Sequence, residues 1–248
     1  MNKSVKGLVL KSVVFKDNDL LLTIFTAETG KMNVLCRGIR RSKKTQLYAQ
    51  PFVYSEFDLF CGRGLAVVDH AEVCEPFYNL RNDIQRLSLA QYFGDVASFI
   101  TQGRNSKELL RLLLNSLSLL ADGRFDNEII KIVFELRYAL IEGFAPSAAS
   151  CSICGAPARV WEFNEGLLCQ ACAHHGGYPL SDAIVEAIGH ILTTEGMRTY
   201  SFQMNEQAVQ YLNQLTSLYI SYQLDTDFQS LKYYRQFIDI GPLLPKKD

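Results

Sequence analysis

The chain lacks the signatures that most often announce an enzyme. There is no GxxxxGK[ST] phosphate loop, no GxGxxG opening a helix after a strand, no GxSxG elbow and no HExxH pair. Each of those patterns places a nucleophile, a metal or a nest of backbone N–H groups where chemistry needs it. Histidine is scarce, with four in 248 residues. His70, in VVDHAEV, reads as a half-buried strand residue rather than a base, with Asp69 on the opposite face. Clusters of Asp and Glu at nuclease spacing are also missing. Taken together, these absences point to a protein that binds rather than one that catalyses. No apolar run approaches the ~20 residues of a membrane span. The N-terminal MNKSVKGLVLKSVVF is basic and partly apolar, but Lys11 interrupts it and no small-residue cleavage site follows. The expectation is a soluble cytoplasmic protein in a reducing compartment, where disulfides are disfavoured. No internal repeat or low-complexity tract is present.

A further absence is local. No acidic residue occurs between Glu28 and Glu56, and that window holds Lys31, Arg37, Arg40, Arg41, Lys43 and Lys44. The chain's net charge of −1 hides an asymmetry. Residues 1–80 carry 11 Lys/Arg against 8 Asp/Glu, a net of +3, and residues 81–248 carry 14 against 18, a net of −4. A local cationic excess is the electrostatic footprint of a polyanion-binding surface. Five of the eight residues in RGIRRSKK, Arg37 to Lys44, are basic. That is too much charge for a strand interior, so the run reads as an exposed loop. Such runs are commonly just solvated charge.

The setting makes a binding role worth testing. Val5 to Val14, Leu20 to Phe25, Met32 to Cys36, Val53 to Phe60 and Leu65 to Val73 read as strands. Asp17-Asn18-Asp19, Thr29-Gly30-Lys31 and Gly62-Arg63-Gly64 supply the turns, and Pro51 is expected to open the fourth strand. Val53, Ser55, Phe57 and Leu59 should share one face. Five short strands at this spacing predict a closed barrel, and a five-stranded OB-fold is the natural candidate. OB-folds hold single strands with a basic groove and aromatic platforms. Phe15, Phe25, Tyr48, Phe52, Tyr54 and Phe57 lie nearby in sequence, most of them as expected core.

Beyond Glu75-Pro76 the period becomes helical. Leu80, Ile84, Leu87, Gln91, Gly94 and Ala97 trace one stripe, with Phe93, Val96 and Ile100 beside it. Asn105 and Glu108 suggest a capping box before LLRLLLNSLSLLADG. Asp126 to Gly143 is apolar nearly all round and should sit centrally. Ser181 should cap a further helix, and Asn205 to Leu224 should form the last long one. A short helix is expected at Leu231 to Phe237. The predicted organisation is α+β: an OB-fold at 1–78, a helical domain at 79–248, and a zinc knuckle at 150–179 inserted within it.

The knuckle is CSICGAPARVWEFNEGLLCQAC, Cys151 to Cys172. A two-residue gap lets both thiolates of one turn reach the same ion. The pairs Cys151/Cys154 and Cys169/Cys172 stand 14 residues apart. Two such turns supply four sulfurs in a tetrahedron, the preference of structural Zn²⁺. Arg159 to Phe163 and Gly166 to Leu168 can form the hairpin that brings them together. Four thiolates leave no open position for a reactive water, so the one expected zinc ion is structural. His174 and His175 are nearby substitutes for a ligand. Cys36, Cys61 and Cys74 remain as buried or free thiols.

The order of motifs also resembles a known family. Gly7 to Leu10, Phe25 to Lys31 (FTAETGK), Gly38 to Arg41, Gln50 to Phe52, Gly62 to Leu65 and Ala71 to Val73 follow one another as in the bacterial RecO family of DNA repair proteins. FELRYALIEGFAPS (Phe134 to Ser147) and GLLCQAC continue the likeness. The resemblance implies an OB-fold plus a zinc-bearing helical domain, and a non-enzymatic role in recombinational repair in the cytoplasm, on the nucleoid. It implies binding to single- and double-stranded DNA, annealing of complementary strands, and work with RecR to load RecA onto DNA covered by single-stranded DNA-binding protein. Family DNA contacts fall on Arg37, Arg40, Arg41, Lys43 and Lys44. The acidic, apolar C-terminal tail of the single-stranded DNA-binding protein would dock near the Phe134 helix. Where the family often carries Arg before F-E-L, this chain has Ile132-Val133, with Lys131 or Arg137 to stand in. Other readings of the residues remain open: an RNA-binding or transcription factor, or a metal-dependent nuclease or deaminase with an open metal site.

Overall fold

The structure, a computed structural model, describes residues 2–39, 47–100, 106–174 and 176–237. Five strands come first: β1 Asn2–Phe15, β2 Asp19–Thr26, β3 Gly30–Cys36, β4 Tyr54–Phe60 and β5 Ala66–Glu75. They close into a barrel in the order β1-β2-β3-β5-β4. All neighbours are antiparallel except β3 and β5, which run parallel with Val34 opposite Ala66. This is the topology of an OB-fold, as expected. The long β1 makes closure possible. Its N-terminal half pairs with β4, its C-terminal half pairs with β2, and a register shift between Val9 and Lys11 bends the strand between them. A bulge of this kind lets one strand serve two sheets.

The interior follows from alternation. Val5, Val9, Leu22, Ile24, Val34, Cys36, Phe57 and Leu59 form the barrel core. Ser55, Phe57 and Leu59 are buried while Asp58 and Phe60 face out, as the period of two requires. Pro51 stands in a turn before the fourth strand rather than opening it, and β4 starts at Tyr54. In that turn Phe52 takes a left-handed φ of 62°, which lets its N–H donate to the Val9 carbonyl at 2.7 Å. Leu8, Val9 and Leu10 are all buried, which alternation alone does not explain. The outward faces of these strands are covered by two helices, α1 Ile84–Ala97 and α2 Ser106–Asp122, which pack on β1, β2 and β3. Asp83 caps α1 by accepting from the N–H groups of Gln85 and Arg86. Lys31 donates to the Ser98 carbonyl just past the end of α1 at 2.9 Å, a cation where the helix dipole favours one. Packing therefore joins residues 1–122 into one unit and 123–248 into a second. The expected boundary after residue 78 marks the change from strand to helix. Ile84, placed on the expected apolar stripe, is exposed, and the buried face of α1 is Leu89, Phe93, Val96 and Ala97. The expected cap Asn105 lies outside the described residues.

The second unit is built on α3 Asn127–Glu142, α4 Asp182–Thr193, α5 Glu206–Leu224 and α6 Gln229–Gln236. Asp126 caps α3 through the Glu128 N–H at 2.7 Å, and Gly143 ends it. A three-stranded sheet lies between α3 and α4 in sequence: β6 Val160–Glu162, β7 Gly166–Leu168 and β8 Tyr178–Pro179. Strand β8 was not legible in the sequence, since two residues carry no period.

An unbroken aromatic path holds this small sheet to the helices. Phe134 stacks on Tyr138, which meets Phe144 edge-on; Phe144 meets Tyr219, and Tyr219 lies against Trp161 with centroids 4.7 Å apart. Phe163 closes the group against Trp161, Tyr178 and Tyr219. Rings in such edge and tilted geometries add about 0.5–1.5 kcal/mol per pair beyond burial. A buried ion pair sits in the same unit, between α3 and α5. Lys131 donates to Glu135 at 2.9 Å, to both the backbone and side-chain oxygens of Asn213 at 3.1 Å, and to Ser217. Glu135 also accepts from Thr216 and Ser217. Neither charged side chain has any exposure.

Candidate functional site

Two places in the chain bring chemistry-bearing residues together. The first is the knuckle. Cys151 donates its N–H to Ala156 at 2.7 Å, and Gly155 donates back to the Cys151 carbonyl at 3.0 Å, which closes the first turn. Gly155 has a φ of +76°, so the turn requires its freedom. The second turn repeats the device, with Cys172 and Ala173 both donating to the Cys169 carbonyl. Hairpin pairing of Val160 with Leu168 and of Trp161 with Leu167 then sets the two turns side by side. Gly177 lets β8 close on this hairpin. A Cβ there would stand 2.2 Å from a Val160 methyl and 2.8 Å from Glu162.

The outcome is four sulfurs, from Cys151, Cys154, Cys169 and Cys172, all within 4.8 Å of one another. The Cys154 and Cys169 sulfurs are 3.6 Å apart, and none of the four is in a disulfide. The site could hold a metal ion. The Cys154 N–H, first among several backbone donors, draws the Cys151 thiol down to about 6, and the Cys172 N–H lowers Cys169 likewise. Backbone dipoles already aimed at sulfur favour the thiolate form that a metal requires. Cys172 is the counterweight: hydrogen bonding to Cys154 holds it up at about 12, so the bare cluster keeps protons that an ion would displace. His174 does not join the cluster; its backbone N–H donates to Glu162 at 2.7 Å. His175 lies outside the described residues. Of the leftover thiols, Cys36 is core, raised by burial to about 12, and Cys61 and Cys74 are exposed.

The second place is the mouth of the barrel. Arg37 follows directly on β3 and is exposed. The Gly38 N–H donates to Asp19 at 2.8 Å, which pins the chain to the start of β2, and Ile39 turns into the barrel core. Arg40, Arg41, Lys43 and Lys44 lie outside the described residues. Where the description resumes, a short 3-10 turn at Leu47–Ala49 places Ala49 in the same core, with Tyr48 edge-on to Phe57. Both described flanks of the basic run are thus anchored in the barrel. None of the six aromatics noted there offers an open ring. Phe25, Phe52 and Phe57 are buried, and Phe15, Tyr48 and Tyr54 are half-buried.

The residues expected to meet a partner protein on α3 are placed differently from one another. Lys131 and Phe134 are completely buried, Lys131 in the ion pair and Phe134 in the aromatic path. In this conformation neither presents a surface, so the expected contact does not fit them. The physical reason is that Glu135 and the α5 hydroxyls consume the Lys131 charge internally. Arg137 alone is half-exposed, and it donates to the Ile191 and Thr194 carbonyls at 3.4 and 3.3 Å. One residue that sequence reasoning passed over is Phe60. The alternation that puts Phe57 and Leu59 inside puts Phe60 outside, next to the Gly62-Arg63-Gly64 turn.

The fold and site define a class: an OB-type barrel unit whose sequence carries a cationic run between its third and fourth strands, followed by a helical unit that carries a four-cysteine cluster. Comparison with known proteins narrows the class to one family. Residues 1–77 match the family model described as "Recombination protein O N terminal", and residues 81–232 match "Recombination protein O C terminal". Among similar proteins, the DNA repair protein RecO of Alkaliphilus metalliredigens is 34% identical, over 92% of this chain and 96% of that one. Its namesakes from Acetivibrio thermocellus and Caldicellulosiruptor saccharolyticus are each 30% identical, over 92% and 93% of this chain and 94% and 96% of theirs. The chain belongs to the RecO family.

Proposed function

We propose that this chain is a non-enzymatic mediator of recombinational DNA repair. It binds single-stranded DNA at the barrel, anneals complementary strands and, with RecR, helps load RecA onto DNA coated by single-stranded DNA-binding protein. The observation that carries this reading is the match of both family models, over residues 1–77 and 81–232, on a chain whose acid-free window between Glu28 and Glu56 holds six Lys and Arg. Arg37, Arg40, Arg41, Lys43 and Lys44 neutralise phosphates and release their condensed counterions. Two strands then approach with less repulsion, and the free energy of base pairing does the rest. No covalent step is needed.

The cysteine cluster holds one structural zinc ion in this reading. Zn–S bonds of about 2.3 Å give tetrahedral edges of about 3.8 Å, close to the 3.6 Å between Cys154 and Cys169. The ion fastens the hairpin, and four thiolates leave it no open position for a catalytic water. This is what disfavours a metal-dependent nuclease or deaminase. Docking of the acidic tail of single-stranded DNA-binding protein falls to surface cations of the helical unit, with Arg137 the one of the three expected residues that has surface.

The test is direct. Reversal of Arg40 and Arg41 to Glu should cut single-strand affinity by at least tenfold at about 50 mM salt while thermal unfolding stays unchanged. Binding equal to that of the unaltered protein would remove these residues from the interface.

A further inference from the structure

Between the end of β3 and the β4–β5 turn lies an open cleft of about 530 Å³, within the range of small-ligand sites. Phe60 and Leu65 are its apolar surfaces, 55% and 46% exposed. Other apolar side chains of this unit are also exposed, Val14, Tyr78 and Ile84 among them, but Phe60 sets an open ring in a concave place beside two cations. Arg37 and Arg63 line the same cleft, both exposed and neither in an ion pair among the described residues. Asp69 also lines it, so the two guanidinium groups leave the lining net positive.

The elements explain why these side chains meet. Phe60 is the last residue of β4, on its outward face, opposite Val67 of β5. Parallel pairing of Leu35 with Val67 brings the end of β3, and hence Arg37, to the same place. The turn between β4 and β5 carries Arg63 between two glycines, and Gly62 lies against the edge of the ring, where a Cβ would stand 3.7 Å from Phe60 Cε1. An aromatic face between two cations is the pattern that grips an unpaired nucleobase and its flanking phosphates. OB-folds use the β4–β5 turn for such contacts.

We propose that Phe60 is a base-stacking platform for single-stranded nucleic acid, with Arg37 and Arg63 holding the phosphates on either side. This rests on the proposed function and names residues for it outside the basic run. A duplex keeps its bases stacked on each other and gains only the two cations, so the cleft discriminates for single strands. In annealing, one exposed base on Phe60 stays readable by the incoming strand.

The test exploits the composition of the chain. Its one tryptophan, Trp161, is completely buried in the second unit. Phe60→Trp therefore adds the one solvent-facing indole. Titration with a labelled oligo-dT of roughly 15 nucleotides, the scale of an OB-fold site, gives two readouts: anisotropy of the label and quenching of tryptophan. The proposal expects wild-type anisotropy to rise without a tryptophan change, Phe60→Trp to bind and be quenched, and Phe60→Ala to bind roughly tenfold more weakly. Arg63→Glu in the Phe60→Trp background should lose both signals together. Binding without quenching, or Phe60→Ala binding as well as wild type, overturns the stacking role and leaves the proposed function standing. No anisotropy change for the wild type at low salt overturns both. Circular dichroism of each variant should match wild type, since Phe60 lies outside the core.

Discussion

The two units put charge in opposite places. Residues 1–122 carry 16 Lys/Arg and 12 Asp/Glu, a net of +4, and residues 123–248 carry 9 and 14, a net of −5. In the first unit the buried polar residues among those described are neutral hydroxyls: Thr26, Ser55, Ser106 and Ser116. Among the described residues of this unit no charged side chain is buried. The second unit buries Lys131, Glu135 and Glu162 and gathers four thiols at one point. Apolar alternation and the bulge in β1 account for most of the barrel core. The helical unit, with a three-stranded sheet too short to stand alone, adds directional bonds that select one arrangement. The two units thus handle charge differently: among the described residues the first buries none, and the second uses a buried ion pair in its own architecture.

This contrast can be broken from the second unit without touching the first. Cys151→Ser, or removal of metal by a chelator, should produce the largest effect. The hairpin from Val160 to Leu168 should lose amide protection and the unit's Tm should fall on the order of 10 °C or more. Protection in β1 to β5 should stay as it was. Hydrogen exchange with metal analysis reads both at once, and equal loss in the two units would erase the distinction.

Lys131→Ala comes next. It strands the Glu135 carboxylate inside the unit, at a cost of about 3–5 kcal/mol. The pair Lys131→Met with Glu135→Leu should recover most of that loss in urea unfolding, because well-packed apolar side chains avoid the desolvation of both charges. Failure of the double variant to recover would mean that the Asn213, Thr216 and Ser217 network specifies the α3–α5 packing in a way that methylenes cannot replace.

The smallest effect is a pH dependence. Burial raises the Glu128 carboxyl above its ordinary value, its Oε2 has no hydrogen-bond partner, and Oε1 accepts from Tyr234 at 2.6 Å. A carboxyl raised in the folded state favours folding while protonated. Its contribution is therefore present below the unfolded value and lost as pH rises through the folded one. Glu128→Gln keeps the Tyr234 bond and removes that loss. Tm should rise slightly at pH 7 and match wild type near pH 4, and a variant less stable at pH 7 would show that the carboxylate is compensated, by Lys131 first.

Much of this was legible in the sequence, for reasons that differ by region. The strands were readable because period two survives wherever one face is solvent, as in Ser55-Phe57-Leu59. The cluster was readable because ligand spacing is set by the ion, not by the fold. Helix α1 misled at Ile84, because its covering partner is a barrel that its own periodicity cannot reveal. Lys131 misled more deeply. The resemblance offers it as a partner contact, whereas the hydroxyls and Asn213 of α5, some 80 residues away in sequence, hold it inside with Glu135. Phe60 was passed over although the alternation of Ser55, Phe57 and Leu59 already puts it on the opposite face; what the sequence does not show is that the end of β3 brings Arg37 to the same cleft.

The central claim is that surface cations on the barrel unit bring two DNA strands together without chemistry. Annealing of two labelled complementary oligonucleotides, followed by fluorescence across a salt series, tests it most directly. Acceleration is expected at low salt, fading as salt rises and lost in the Arg40→Glu, Arg41→Glu variant, with the oligonucleotides recovered intact. Absence of acceleration at low salt, or acceleration indifferent to both salt and charge reversal, would contradict it.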